Sequence, residues 1–287
     1  MKNRTTIVFS LIYGVLLAGL AAYVLLDSFV IPHRYASVKK TYAVETEDSG
    51  ATASDGVEIT LKEYRVNDTN VYVADVRIDS ADHLKTALAE DTYGRNIKED
   101  TSVIASDHGA VLAINGDFYG SRQSGYVIRE GVLYRDKKKS GNEDLVVLKS
   151  GEFLIINEDD VSAQELLDMG AQQIFSFGPA LVIDGEISVD PREEVGKAMH
   201  SNPRTAIGVI DDLHYVFVVA DGRTSDNEGL TLRELADFMK DLGVETAYNL
   251  DGGGSSAMVY QGEIVNNPTT GGRRIGERSV SDIVYIR

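Results

Sequence analysis

Residues 57–78 read VEITLKEYRVNDTNVYVADVRI. Apolar and polar positions alternate on both sides of Asn67-Asp68-Thr69-Asn70, a cluster of turn formers, so the stretch predicts a β-hairpin with one face buried. The same pattern recurs downstream, where AIGVI and HYVFVVAD flank Asp211-Asp212-Leu213 as a second, more fully buried hairpin. Helical signals are fewer. Ser162-Ala-Gln-Glu165 and Thr231-Leu-Arg-Glu234 are capping boxes, each opening a short amphipathic run. In the second run Leu232, Leu235, Met239 and Leu242 share one face, and Gly243 supplies the stop. Strand signals outnumber helical ones and do not alternate regularly with them. The expected fold is therefore α+β, a single domain with a mixed, twisted β-sheet and a few short helices, running over 57–287.

Upstream, residues 7–26 (IVFSLIYGVLLAGLAAYVLL) are uncharged and mostly apolar, and about 20 such residues cross a hydrocarbon core. Lys2 and Arg4 precede them, so the positive-inside rule predicts a cytoplasmic N-terminus at 1–6 and an extracytoplasmic domain. A cleaved signal peptide is the rival reading, but the run exceeds an ordinary signal h-region and no convincing A-x-A site follows. Residues 27–56 then read as a stalk, because 33–56 lack sustained periodicity and end in small polar residues.

The formal charge of −17, with a pI near 4.7, argues against a nucleic-acid partner, which calls for a basic stripe. The absence of cysteine removes disulfides, thiol catalysis and cysteine-based zinc sites.

Three stretches share one order of helix end, glycine, strand, loop, strand and x-G-x. They are ASDHGAVLAINGDFY through GYVIREGVL, LLDMGAQQIFSFGPALVIDGEI, and MKDLGVETAYNLDGGGSSAMVYQGEI. If they are repeats, the loops INGDFYG, SFGP and NLDGGGSS occupy equivalent places at strand ends. The last has three consecutive glycines. It lacks the lysine of a phosphate-binding Walker loop. It nearly spells a nucleophile elbow at Gly253-Gly254-Ser255-Ser256-Ala257, yet all five histidines precede Ser255, unlike the α/β-hydrolase order. What remains is a backbone able to approach an anion or sugar closely, with amides and hydroxyls to offer.

Other polar groups accompany it at strand ends, where such sheets gather ligands: Asn115-Gly116-Asp117 after AVLAI, Arg204-Thr205 immediately before another strand, and Asp221-Gly222-Arg223 after VFVVA. Carboxylates together with arginines suit acid/base chemistry beside a bound phosphate, which a guanidinium grips through paired hydrogen bonds. A phosphate leaving group needs less protonation than an alcohol and more charge stabilisation.

Taken in order, AINGDFYG, FGPALV, NPRTAIG, VVADGR, ELADFMKDLG, NLDGGGSSAM and NNPTTGGRRIGERSVSDIVYI resemble the phosphodiester glycosidase family, over about Thr101 to Arg287. The resemblance implies hydrolysis of a sugar 1-phosphodiester at the anomeric carbon, releasing the sugar. It places Asp251 and Asp117 as acid/base candidates. Its substrate-binding set is Asn115, Gly116, Arg204, Thr205, Asp221, Arg223, Asn249, Gly252, Gly253, Gly254, Ser255 and Ser256, with Arg273 and Arg274 as further anion ligands. The topology expected from 7–26 points to an envelope or exopolysaccharide substrate at the cell membrane. A non-catalytic glycan- or polyphosphodiester-binding assembly protein is the alternative. No cofactor or metal is expected, although Asp117, Asp221 and Asp251 would offer oxygen ligands to a divalent cation if they converged.

Overall fold

The structure is a computed structural model that describes residues 9, 12–23, 51–54, 56–190, 201–270 and 274–287. The chain divides into two units, Met1–Thr41 and Tyr42–Arg287. In the first, residue 9 and residues 12–23 are helical. The remainder of the expected membrane span and nearly all of the expected stalk lie outside the described residues. Among the described residues no helix is long and apolar enough to cross a membrane.

The second unit is mostly β-structure. Its large sheet runs in the order Ala51–Ser54, Val57–Val66, Thr69–Ile78, His214–Ala220, Arg204–Asp211, Thr246–Asn249, Ala180–Ile183, Glu186–Ile187. A second sheet holds Val132–Arg135, Val127–Arg129, Ala171–Phe175, Glu143–Leu148 and Phe153–Asn157. A third holds Glu263–Ile264, Met258–Tyr260, Leu112–Asn115, Asp282–Ile286 and Leu84–Leu88. The opening hairpin closes through Asn67 and Asp68 alone, both at positive φ, so Thr69 and Asn70 belong to the returning strand. Ala51–Ser54 pairs with the hairpin's first strand, so the sheet starts upstream of Val57, inside the expected stalk.

The expectation of one mixed sheet is corrected: there are three principal sheets, and the strand pairings among the described residues are antiparallel. The repeat explains why. Helices α1 (Thr101–Asp107), α2 (Ala163–Asp168) and α3 (Leu232–Asp241) each end before a glycine at positive φ, namely Gly109, Gly170 and Gly243. Each then feeds a strand, a loop and a second strand that lies in a different sheet. Leu112–Asn115 of the third sheet leads to Val127–Arg129 of the second; Ala171–Phe175 of the second leads to Ala180–Ile183 of the large sheet; Thr246–Asn249 of the large sheet leads to Met258–Tyr260 of the third. Each helix returns the chain to the sheet it left, but an antiparallel strand separates the two strands it joins: Asp282–Ile286 for α1, Glu143–Leu148 for α2 and Arg204–Asp211 for α3, so no parallel neighbours arise. Each repeat finishes with an x-G turn (Glu130-Gly131, Asp184-Gly185, Gln261-Gly262) in which both residues have positive φ, as a type I′ hairpin turn requires.

The three sheets enclose one apolar core to which Ile59, Val76, Phe217, Tyr248, Leu145, Phe175, Leu112, Ile114 and Val284 contribute. Their outer faces are covered by helices: α3 on the large sheet through Leu232, Leu235 and Met239, α2 on the second through Ala163 and Leu166, α1 on the third through Ile104 and Ala105. Both expected capping boxes are present, which fixes where α2 and α3 begin. The cyclic strand exchange brings the three repeat loops together, and there the polar residues meet.

Candidate active site

Two of the loops are versions of one motif. Asn115-Gly116-Asp117 and Asn249-Leu250-Asp251 stand at the same place in the first and third repeats, each asparagine the last residue of its strand. They clasp each other: Asn115 Nδ2 donates to the Asp251 carbonyl at 2.6 Å, and the Asp251 amide donates to the Gly116 carbonyl at 3.2 Å. Thr205 Oγ1 donates to Asn115 Oδ1 at 2.8 Å, and Asn249 Nδ2 reaches the Gly178 carbonyl of the second repeat's loop at 2.8 Å. The side chains of Asn115, Thr205 and Asn249 are all buried, so they hold the loops rather than face solvent.

Behind them lies a buried ion cluster. The Arg129 guanidinium bonds Asp282 Oδ2 through Nε at 2.9 Å and Nη2 at 2.6 Å, approaches Asp117 Oδ2 at 3.2 Å, and packs over the Phe175 ring. Its Nη1 donates to the Ile128 and Ile174 carbonyls. Asp117 also accepts from the Tyr119 amide at 2.8 Å and the Ser176 amide at 3.1 Å. Burial, opposed by Arg129, raises the Asp282 carboxyl to about 8, and the neighbouring Asp117 adds repulsion. Among the described residues Asp282 Oδ1 has no hydrogen-bond partner, and Gly116 stays bare because a Cβ there would lie 2.4 Å from it.

In front opens a cleft of about 460 Å³. Four arginines, Arg122, Arg204, Arg223 and Arg278, line it with one carboxylate, Asp251; Phe118 and Phe177 form apolar walls, and Asn202, Gly252 and Gly253 complete it. Three of the guanidiniums are held by carbonyl or amide acceptors of the protein. Arg204 Nε donates to the Leu230 carbonyl at 2.8 Å, Arg223 grips Asn202 Oδ1 at 3.0 and 3.1 Å, and Arg122 bonds the Ser176 carbonyl while lying over Phe177. Arg278 donates from Nη2 to Asp251 Oδ2 at 3.0 Å and from Nε to Ser255 Oγ at 2.9 Å. Burial raises the Asp251 pKa, against the pull of Arg278, the Ser255 hydroxyl and the Gly252 amide. Burial, with the like charge of Arg278, lowers that of Arg223.

The glycines earn their place sterically. A Cβ on Gly253, at φ 66°, would lie 2.7 Å from Arg223 Nη2, and one on Gly252 would lie 2.9 Å from the Pro203 carbonyl oxygen. Of the residues expected from sequence, Asp251, Arg204, Arg223, Gly252 and Gly253 line the cleft. Asn115, Gly116, Asp117, Thr205, Asn249, Gly254, Ser255 and Ser256 sit directly behind it, and Ser255 touches Arg278. Asp221 is elsewhere: it is buried and accepts from the Asn267 amide at 2.8 Å and from Asn266 and Asn267 side chains, clamping the segment after Ile264. Arg274 is exposed in a two-stranded ribbon and does not line the cleft; Arg273 lies outside the described residues. Among the described residues no group of three or more His, Cys, Asp or Glu side chains is placed to hold a metal ion, and both Asp221 oxygens are engaged by Asn266 and Asn267.

Arg122, Arg278, Phe118 and Phe177 carry no strand-end signal of their own. Phe118 and Phe177 stand in the repeat loops INGDFYG and SFGP, where the second residue after each strand end is Asp117, Phe177 or Asp251; that alignment is the available clue.

The phosphodiester glycosidase family description matches residues 108–287. The chain is 31% identical over 201 residues to the SPbeta prophage-derived uncharacterized protein YomE of Bacillus subtilis, covering 68% of this chain and 30% of that one. It is 29% identical over 188 residues to the N-acetylglucosamine-1-phosphodiester alpha-N-acetylglucosaminidase of Mus musculus, covering 60% of this chain and 35% of that one. It thus spans about a third of the length of these curated relatives. Among solved structures, the catalytic domain of the zebrafish enzyme of that name, auto-inhibited by its pro-peptide, superposes with a TM-score of 0.65 at 22% identity, covering 86% of this chain and 87% of that one. A hypothetical protein from Synechocystis superposes at 0.56 with 16% identity, covering 81% and 62%. With the family's motifs converging on one arginine-lined cleft, the chain belongs to the phosphodiester glycosidase family.

Proposed function

We propose that the protein hydrolyses a glycosyl 1-phosphodiester, breaking the bond between the anomeric carbon and the phosphate oxygen. The observation that carries this is the composition of the cleft: four guanidiniums, one carboxylate and two phenylalanine faces within one cavity, on a chain whose formal charge is −17. On such an acidic protein a local cationic cleft selects an anion at short range. Arg122, Arg204 and Arg223 bind the phosphate and stabilise the charge that grows on it as it departs. Phe118 and Phe177 pack against the apolar face of a sugar or aglycone. Asp251 is the acid/base group, supported by its position in the cleft. Asp117, fully engaged by two amides and Arg129, keeps the first loop and Phe118 in place.

N-acetylglucosamine, the sugar named in the mouse relative, is the first to test. An envelope or exopolysaccharide substrate is supported by residues 7–26, read as a membrane anchor with the domain outside the cell. Incubating the protein with UDP-N-acetylglucosamine or another sugar 1-phosphodiester is expected to release reducing sugar and a phosphate monoester end. Binding of these compounds with no turnover of any of them would leave a glycan-binding protein instead.

A further inference from the structure

Arg278 differs from the deeper arginine of this region in what it can give up. Arg129 is sealed, with 2% of its side chain exposed, and its carboxylates are equally buried. Arg278 keeps 41% of its side chain exposed while its partner Asp251 keeps 11%. Its Nη2 is shared between Asp251 Oδ2 and the Gly252 carbonyl, both at 3.0 Å, and Nε holds Ser255 Oγ. It reaches the cleft from beside the third sheet and shares it with Arg223, Arg204 and Arg122. A phosphodiester entering there offers two non-bridging oxygens, which match a guanidinium fork better than one carboxylate oxygen and one carbonyl do.

We infer that Arg278 is a further catalytic residue that changes partners during the reaction: it pairs with Asp251 in the empty cleft and with the phosphate of the substrate in the occupied one. This rests on the reading of Asp251 as the acid/base group. Once Arg278 turns to the phosphate, Asp251 is left in a buried setting without its cation, and a carboxylate so placed is a stronger base. It takes a proton from water as the water oxygen bonds to the anomeric carbon. The carbon–oxygen bond to phosphate breaks, and its electron pair leaves on the phosphate. Asp251 then returns the proton to solvent, and departure of the phosphate returns Arg278 to Asp251.

The groups facing Asp251 are few. Arg278, the Ser255 hydroxyl and the Gly252 amide favour its charged form, Arg223 adds a weaker attraction, and Asp282 repels it from behind. Among the described residues only Arg278 combines a direct ion pair with Asp251 and exposure to the cleft.

The test compares pH profiles of the full-length protein with a UDP-sugar. The acid limb of kcat/KM reports Asp251 in the free protein and that of kcat reports it in the complex. The expected result is a kcat limb at higher pH than the kcat/KM limb by about one unit, the size of shift an adjacent opposite charge produces. In Arg278→Met the free-protein limb moves up, the two limbs close together, and kcat falls about tenfold or more. Coincident limbs in the wild type, or an unchanged separation in Arg278→Met, overturn the inference. Should Arg278→Met not fold, Arg278→Lys keeps the charge and loses the fork: a raised KM with the limbs still separated supports the exchange, and an unchanged KM overturns it. Full activity in Asp251→Asn would instead remove the reading on which the exchange rests. Inactivity of Asp251→Asn with unaltered Arg278→Met profiles would remove the exchange alone.

Discussion

The first and third repeat loops begin alike and end in opposite roles. Asn115-Gly116-Asp117 and Asn249-Leu250-Asp251 stand at the ends of equivalent strands and clasp each other through one side-chain and one main-chain donor to main-chain carbonyls. Yet Asp117 is locked by the Tyr119 and Ser176 amides and by a buried arginine, whereas Asp251 opens onto the cleft beside an exposed one. Their middle residues differ in the same sense. Gly116 is bare because Asp282 stands against it; Leu250 is fully buried in the shared core. A repeated backbone thus supplies two aspartates, and the arginine that meets each one decides whether it builds the site or serves it. Arg129 comes from the strand that follows the first loop, at the place where the other repeats have Ile183 and Tyr260.

That contrast can be broken most severely at its open end. Asp251→Asn is expected to lower kcat by about 10²–10⁴-fold, the range of a lost acid/base group, with little change in the melting temperature, because burial already disfavours its charge. Sugar release assays together with thermal melts check this. A loss of fold would mean that Asp251, like Asp117, is structural. At the closed end, Arg129→Met leaves Asp117 and Asp282 buried without their cation, and about 3–5 kcal/mol of stability is expected to go, measured by denaturant unfolding.

The middle residues offer a finer comparison. Leu250→Ala is expected to cost about 2–5 kcal/mol through the cavity it leaves. Gly116→Ala is expected to cost about 1–3 kcal/mol by forcing Asp282 aside. If the two alanine variants exchanged this order, the two loops would be packed more alike than the structure has them.

The smallest effect is a slope with pH. Burial raises Asp144 to about 9, so it holds a proton in the folded protein that the unfolded chain releases near the ordinary carboxyl value. Its contribution is complete below that ordinary value and is lost as pH rises through 9. Melting temperature should therefore decline between mildly acidic and alkaline pH. Asp144→Asn should flatten the decline, since it removes the titrating group; an equally steep decline in the variant would place the titration elsewhere.

Much of this molecule is legible locally. Period-two alternation marks the hairpin at 57–78, Ser162 and Thr231 mark helix starts, and glycines mark helix ends and the x-G turns, because each of these signals acts within a few residues. The same signals, read three times over, expose the repeat and the strand ends on which Asp117 and Asp251 sit. They do not say that consecutive strands of a repeat join different sheets, since strand partners are chosen by a core that residues from all three sheets fill together.

The sequence by itself determined the elements, the family, and the residue types that meet an anion. The tertiary structure decided the rest: that Asp117 turns inward and Asp251 outward, that Asp221 clamps Asn266 and Asn267, and that Arg122 and Arg278 complete the cleft. The physical reason is distance along the chain. Contacts such as Arg129 with Asp282, or Asn115 with Asp251, join residues more than a hundred positions apart, and no local propensity encodes which buried charge will meet which.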